Sequence, residues 1–363
     1  MANHKSRESN IELLRILAII GVIVLHYNNP VYGKGFVNYD KGIERIILIV
    51  LESLSICAVN LFVLISGYFM AGKNKRDFLK PAELLFKVAL FGSVFFLVSI
   101  FATGMEINFD NFLRFYIPDK WFVFVYIALY LFSPYINIVW KNLDASGKRL
   151  ILIMSAIAFS IYPTIVDELA LLSGRQLNGT MPIGVTGDAG GYTLVNFVFI
   201  YLIGCYIRDC ANENRKIAGQ KKLFIFLIAD LILISLWAYA DIMAKGVMPG
   251  DSVSYNYNNP LVVIETVLIF LLFRNMKSFE SGLINYLAAG TFTTYIVHIR
   301  FIEIFQIGEK VNSSVFMLAM DIVKSVIMVY ASCILVYALF ELILRPIRSF
   351  VIRRWKTHRF FEV

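Results

Sequence analysis

Glu12, Arg15 and His26 lie in one apolar run, and their types and spacing are suited to chemistry. On an α-helix the step from Arg15 to His26 amounts to roughly 1100°, about 20° from three full turns. The two side chains therefore share a face and stand about 16 Å apart along the axis. Glu12, three residues before Arg15, is within pairing reach. A guanidinium holds a phosphate through charge-assisted hydrogen bonds. A neutral imidazole takes a proton from a hydroxyl or attacks as a nucleophile. Together they suit a donor with an anionic head and a long arm whose reactive end meets His26. Taken singly, Arg15 also reads as a snorkelling cation and His26 as a hydrogen-bonded buried ring. Sharing one face favours the functional reading.

Two other places carry candidate groups. Ser66-Gly67-Tyr68 ends a second apolar run, and Lys73 and Arg76 follow it at a spacing that could clamp phosphates. A basic loop there is equally a topology signal. Tyr295 and His298 are three apart in a later run and face one side of a helix. The bland reading is a structural hydrogen bond. Ionisable residues inside apolar runs are costly and so are functional candidates. Glu83 with Lys87, Arg300 with Glu303, and Asp321 with Lys324 have helical pairing distances and are expected to form ion pairs. Glu52 has no such local partner.

Metal chemistry is not expected. His4 and His358 lie in polar tails, and no HExxH spacing occurs. Cys57, Cys205, Cys210 and Cys333 form no CxxC pair and read as small apolar residues. Nucleophile-elbow, P-loop and GxGxxG patterns are also missing from the sequence.

The elements that must position these groups follow from composition. Hydrophobic residues make up 58% of the 363 residues and charged ones only 17%, with a mean hydropathy of +0.69. A soluble domain cannot hide that much apolar surface. The apolar runs are continuous rather than alternating, which argues for helices over a β-barrel. Ten spans are expected, at about 11–28, 43–70, 82–103, 121–140, 148–166, 193–208, 222–243, 260–275, 282–304 and 315–344. The second and last exceed the bilayer and are expected to tilt or carry an interfacial turn. The first reads as a retained helix rather than a signal peptide, since no small-x-small site follows it. Ser9 with Glu12 fits a capping box at its start.

The formal charge of +8 lies between the runs, so it reads as topology rather than as a nucleic-acid surface. With the N-terminus inside, 22 of the 34 Lys and Arg fall on inside segments and seven on outside loops. The positive-inside rule then puts both termini in the cytoplasm. The loop at 167–192, with Gly174, Gly179, Gly184, Gly187, Gly190 and Gly191, is expected to fold back in part. The loop at 244–259, with Tyr255, Asn256, Tyr257, Asn258 and Asn259, reads as a surface for sugars or as an interfacial belt.

A series of segments resembles a known family in order along the chain. Glu12-Leu-Leu-Arg15, ten residues and His26 come first. Asn60-Leu-Phe62 through Ser66-Gly67-Tyr68, then Lys73 and Arg76, come next. Trp121-Phe122 through Tyr130 and Ser133-Pro134 follow, then Tyr201 through Gly204-Cys205-Tyr206, and finally Tyr295-Ile-Val-His298. Together they resemble the membrane-bound acyltransferase 3 family over nearly the whole chain, Arg-x10-His being the specific element. The resemblance implies transfer of an acyl group from a cytoplasmic acyl-CoA to an acceptor, commonly a sugar hydroxyl of a surface glycan. It implies donor binding for Arg15, acyl transfer for His26 and a supporting phosphate role for Lys73 and Arg76. Two departures stand out. Phe122-Val-Phe-Val-Tyr126 has no Glu where many members carry one after the Trp, and Lys73 stands where Arg is common.

The expectation is an all-α polytopic membrane protein of about ten transmembrane helices. A single transmembrane acyltransferase domain would span 1–344, and a basic cytoplasmic tail 345–363. It would be an O-acetyltransferase in a bacterial cytoplasmic membrane, with acetyl-CoA as donor substrate and no metal. Its partners would be a glycan or lipid-linked saccharide acceptor and the lipid bilayer, with no nucleic acid. Glu12, Ser66, Glu52, Trp121, Tyr295 and His298 would support the site. The alternatives are another acyl group such as succinyl, a peptide or small-molecule acceptor, or a glycan or lipid exporter without covalent chemistry.

Overall fold

The computed structural model describes residues 8–115, 121–177, 186–215, 217–308, 314–354 and 360–362. His4, Lys5, Arg7, Lys120, Gly179, Gly184, Lys216, Lys310, Lys356, His358 and Arg359 lie outside them. The helices are α1 (Ser9–Asn28), α2 (Gly35–Asn38), α3 (Gly42–Ser55), α4 (Ala58–Met70), α5 (Leu79–Thr103), α6 (Phe109–Arg114), α7 (Trp121–Asn142), α8 (Ala145–Ala156) and α9 (Tyr162–Ser173). They continue with α10 (Leu194–Asn212), α11 (Gln220–Lys245), α12 (Pro260–Arg274), α13 (Gly282–Ala289), α14 (Thr291–Ile304) and α15 (Val315–Arg354). A π-helical stretch, Ile157–Ile161, joins α8 to α9. Two short strands, β1 (Lys75–Asp77) and β2 (Phe360–Glu362), pair antiparallel with Arg76 opposite Phe361. The chain is an all-α polytopic membrane protein.

Nine stretches among the described residues are long and apolar enough to cross a bilayer. The ninth expected span, 282–304, is present as α13 and α14, divided at Gly290. The long second run does not carry its turn at one end. It breaks in the middle, at Ile56–Cys57, into α3 and α4. The last helix continues past residue 344 to Arg354.

Local chemistry sets several helix ends. Side chains of Asp144, Thr193, Asn259 and Ser281 each accept from a first-turn amide, and Pro260 follows its cap at the first helical position. The capping box expected at Ser9 does not form. Ser9 lies inside the first turn, where its hydroxyl donates to Asn285 Oδ1 at 2.9 Å and accepts from the Ser281 amide. The start of α1 is thereby tied to α13 instead of being capped by its own chain.

Helix α1 forms the axis of the bundle. It packs against α3, α4, α12, α13, α14 and α15. Two thirds of its apolar window is buried, 67% against 22% for α15. The outer helices leave large apolar side chains such as Leu233, Leu236, Leu339 and Leu342 exposed, as a lipid-facing surface requires. The tightest crossing is α4 on α10. A Cβ at Gly67 would sit 2.4 Å from the Tyr201 carbonyl oxygen, and one at Gly204 would sit 2.6 Å from that of Leu64. Only glycine permits that backbone approach.

Two of the three expected ion pairs form, Glu83 with Lys87 at 3.1 Å and Arg300 with Glu303 at 2.8 Å. Asp321 instead accepts from the Tyr27 hydroxyl at 2.7 Å, which pins the end of α1 to α15. The segment 244–259 is exposed at 244–246 and 250–251, but its aromatic and amide end is not. Tyr255, Tyr257, Asn258 and Asn259 are buried, because two short 3-10 turns carry the chain back into the bundle. The described end of the glycine-rich loop folds against it, with the Tyr257 amide donating to the Gly190 carbonyl at 2.8 Å. Gly191 has φ +83, and a Cβ there would sit 2.5 Å from the Asn258 amide.

Candidate active site

The shared face of α1 is lined by two adjoining cavities. One, of about 200 Å³, is lined by Arg15, Ser66, Lys80 and Tyr126 over an apolar wall that includes Phe62 and Phe122. The other, of about 250 Å³, is lined by His26, Glu52, Trp121, Tyr192, Tyr257 and His298 among others. Val22, Val59 and Tyr295 line both. The two chambers are therefore neighbours along one helix, as the spacing of Arg15 and His26 predicts.

In the Arg15 chamber, Glu12 holds the guanidinium at 3.3 Å, and the Arg15 side chain keeps 33% exposure. The Ser66 hydroxyl donates to the Phe62 carbonyl at 2.8 Å and lies 3.2 Å from the Tyr126 hydroxyl. The Lys80 ammonium sits over the Tyr130 ring at 4.8 Å and the Tyr126 ring at 6.0 Å. Arg15 and Lys80 thus give this chamber two cations from different helices. Among the described residues no Asp or Glu lines it. Such a cavity attracts an anion.

Lys73 and Arg76 do not line either chamber. Lys73 is exposed. Arg76 is 3% exposed, and its location has a local cause. Pro134 inside α7 supplies no amide proton to the Tyr130 carbonyl. The Ser133 hydroxyl donates to that oxygen at 2.7 Å and accepts from Arg76 Nε at 2.8 Å. Arg76 Nη1 donates to the carbonyls of Lys73 and Lys75. In this structure Arg76 knits the α4–α5 connection to the proline bend. Lys80 is one of the 22 Lys and Arg that the sequence places on inside segments, and it is not among the residues singled out there. Its helical register with Leu84, which also lines the chamber, is the local signal that points to it.

The His26 chamber begins where α1 stops. Asn29 Oδ1 accepts from the amides of Val31 and Tyr32, and the Gly33 amide returns to the His26 carbonyl at 3.0 Å. This turn brings the Tyr32 ring to 5.4 Å from the imidazole. His298 comes from α14, and its ring centroid lies 4.7 Å from that of His26. His26 Nδ1 is 2.8 Å from the Val22 carbonyl, and His298 Nδ1 is within 3.0 Å of the carbonyls of Thr294 and Tyr295. A carbonyl only accepts, so both Nδ1 atoms carry the proton. His298 Nε2, 3.4 Å from His26 Nδ1, then faces that N–H with a lone pair. The tautomer so fixed puts the basic lone pair of His26 on Nε2.

Tyr295 connects the chambers, with its ring 5.1 Å from Phe122 and 6.0 Å from His298. Trp121, Tyr192 and Tyr257 form an aromatic wall in the His26 chamber, with Trp121 to Tyr192 at 4.5 Å and Tyr192 to Tyr257 at 4.7 Å. Glu52 is 7% exposed and accepts from Asn28 Nδ2 at 2.8 Å. Of the residues singled out in the sequence, the structure brings Arg15 and Ser66 to one chamber, with Glu12 paired to Arg15 but outside the lining. It brings His26, Glu52, Trp121, Tyr295 and His298 to the other. The four cysteines are buried and form no disulfide.

An anion-attracting chamber beside a chamber holding an imidazole base fits group transfer from an anionic donor. No curated protein and no solved structure matches the chain. A family model described as an acyltransferase domain matches residues 8–341, so it takes in α1, both chambers and every residue that lines them. That match extends over nearly the whole chain, and the protein belongs to the membrane-bound acyltransferase 3 family.

Proposed function

We propose that this protein is an acyl-CoA-dependent O-acyltransferase that moves an acetyl group from acetyl-CoA to a hydroxyl of a cell-surface or exported glycan. The observation that carries this reading is the pair of adjoining chambers along one face of α1, with cations in one and an oriented imidazole in the other. The CoA phosphates would bind Arg15 and Lys80 from the cytoplasmic side, and the acyl end would reach past Tyr295 toward His26. Both ends of the chain would be cytoplasmic, in a bacterial cytoplasmic membrane, as the Lys and Arg distribution favours.

The chemistry follows from the His26 tautomer. Nε2 accepts the proton of the acceptor hydroxyl as its oxygen attacks the thioester carbonyl carbon. The tetrahedral intermediate collapses, the C–S bond breaks, and the imidazolium returns its proton to the CoA sulfur. The products are an ester and free CoA. His298 accepts from His26 Nδ1–H, which holds the ring and offsets the charge that forms on it.

The test is acetyl transfer by the purified protein in lipid nanodiscs, with acetyl-CoA and a lipid-linked glycan extract. Wild type is expected to release CoA and esterify the glycan, while His26→Ala does neither and Arg15→Ala does both only at raised acetyl-CoA concentration. Wild-type protein that neither binds nor turns over a CoA thioester would overturn the proposal. So would cells in which the variants lose glycan export but keep glycan acylation, which is the behaviour of an exporter.

A further inference from the structure

Glu52 is a buried carboxyl on α3 that lines the His26 chamber and that the transfer chemistry does not use. Its Oε2 accepts from Asn28. Its Oε1 has no hydrogen-bond partner among the described residues. Among the described residues no Lys or Arg lines this chamber. Opposing features thus meet in one cavity of about 250 Å³: a polar group with spare capacity, an aromatic wall, and no fixed cation.

Each feature constrains what can enter. The rings of Trp121, Tyr192 and Tyr257 lie 4.5 to 5.9 Å apart and are tilted against one another by 31° to 54°, which gives the chamber an apolar aromatic lining that also carries two phenols. Such rings pack against the C–H side of a sugar ring. Glu52 offers a hydrogen bond to a hydroxyl. A carboxylate or phosphate on the entering ring would be buried beside a carboxyl without a lysine or arginine to balance it, which is costly.

Resting on the acyltransferase reading, we propose that the His26 chamber is the acceptor subsite and takes a saccharide ring that bears no acidic group. One face of the ring packs on the Trp121–Tyr192–Tyr257 wall, and one ring hydroxyl bonds Glu52 Oε1. A second hydroxyl is then left for His26. Glu52 is a specificity residue: it selects the ring and takes no part in the proton transfer.

The test uses the full-length protein in nanodiscs, radiolabelled acetyl-CoA, and two matched probes, methyl β-glucoside and methyl β-glucuronide. The glucoside is expected to be acetylated with a kcat/KM about a hundred-fold or more above that of the glucuronide. Glu52→Ala should raise the glucoside KM about ten-fold, with Glu52→Gln in between, while the KM for acetyl-CoA changes by less than about two-fold. Equal or preferred use of the glucuronide overturns the inference, and that comparison needs no variant. A Glu52→Ala protein whose donor and acceptor KM rise together also overturns it, since that is the mark of a structural role. Acetylation of neither ring by a protein that still cleaves acetyl-CoA overturns the saccharide subsite alone. Failure to bind or cleave acetyl-CoA overturns the acyltransferase reading beneath it.

Discussion

The Arg15 chamber and the His26 chamber are of similar size, about 200 and 250 Å³, and both are built on the same face of α1. Their chemistry is opposite. Arg15 and Lys80 make the first cationic, with no carboxylate in its lining among the described residues. The second has Glu52, phenols and two imidazoles, with no Lys or Arg among the described residues. A single apolar helix can carry both because the step from Arg15 to His26 repeats the face while moving about 16 Å along the axis. Charge is separated along the bundle, so an anionic donor and an uncharged acceptor ring would each find only one chamber congenial. Tyr295, which lines both, stands where the two would meet.

Variants that touch one chamber should leave the other's substrate alone. The largest effect is expected at His26. His26→Ala should lower kcat about a thousand-fold with acetyl-CoA binding unchanged, read from labelled acetyl transfer beside a CoA binding isotherm. Arg15→Ala should do the reverse, raising the KM for acetyl-CoA about ten-fold because a partly exposed charge-assisted contact is lost, with a smaller change in kcat. Arg15→Lys should recover part of that loss.

His298→Ala should lower kcat by about as much again, roughly ten-fold, with both KM values little changed. Lys80→Ala should raise the acetyl-CoA KM about five-fold and leave the acceptor KM alone. The smallest change is expected for Glu12→Gln, about two-fold on the donor side, because one flank of the Glu12–Arg15 pair is solvated.

The failures of sequence reading share one physical origin. Arg76 reads as a phosphate clamp from its spacing with Lys73, yet it turns inward to satisfy the polar groups around Ser133 and the Pro134 bend. Lys80 reads as one more inside charge, yet it stands beside Tyr126 in the Arg15 chamber. Tyr255 and Tyr257 read as a surface loop, yet 3-10 turns return them to the core. Ser9 reads as a cap, yet its hydroxyl is used by Asn285 and Ser281, far along the chain. In each case a local pattern competes with a partner that sequence distance conceals.

By itself the sequence determined the class of solvent, the helical spans and the face that Arg15 shares with His26. Those depend on composition and on the 3.6-residue period, which are local quantities. Tertiary structure alone decided which groups meet on that face. His298 reaches His26 from 272 residues away, Glu52 arrives through Asn28, and the aromatic wall gathers Trp121, Tyr192 and Tyr257 from three separate segments. Those meetings depend on how each helix is rotated and how closely it approaches its neighbours. Such packing is set by contacts like Gly67 on Tyr201 and Gly204 on Leu64, and no single helix's periodicity encodes them.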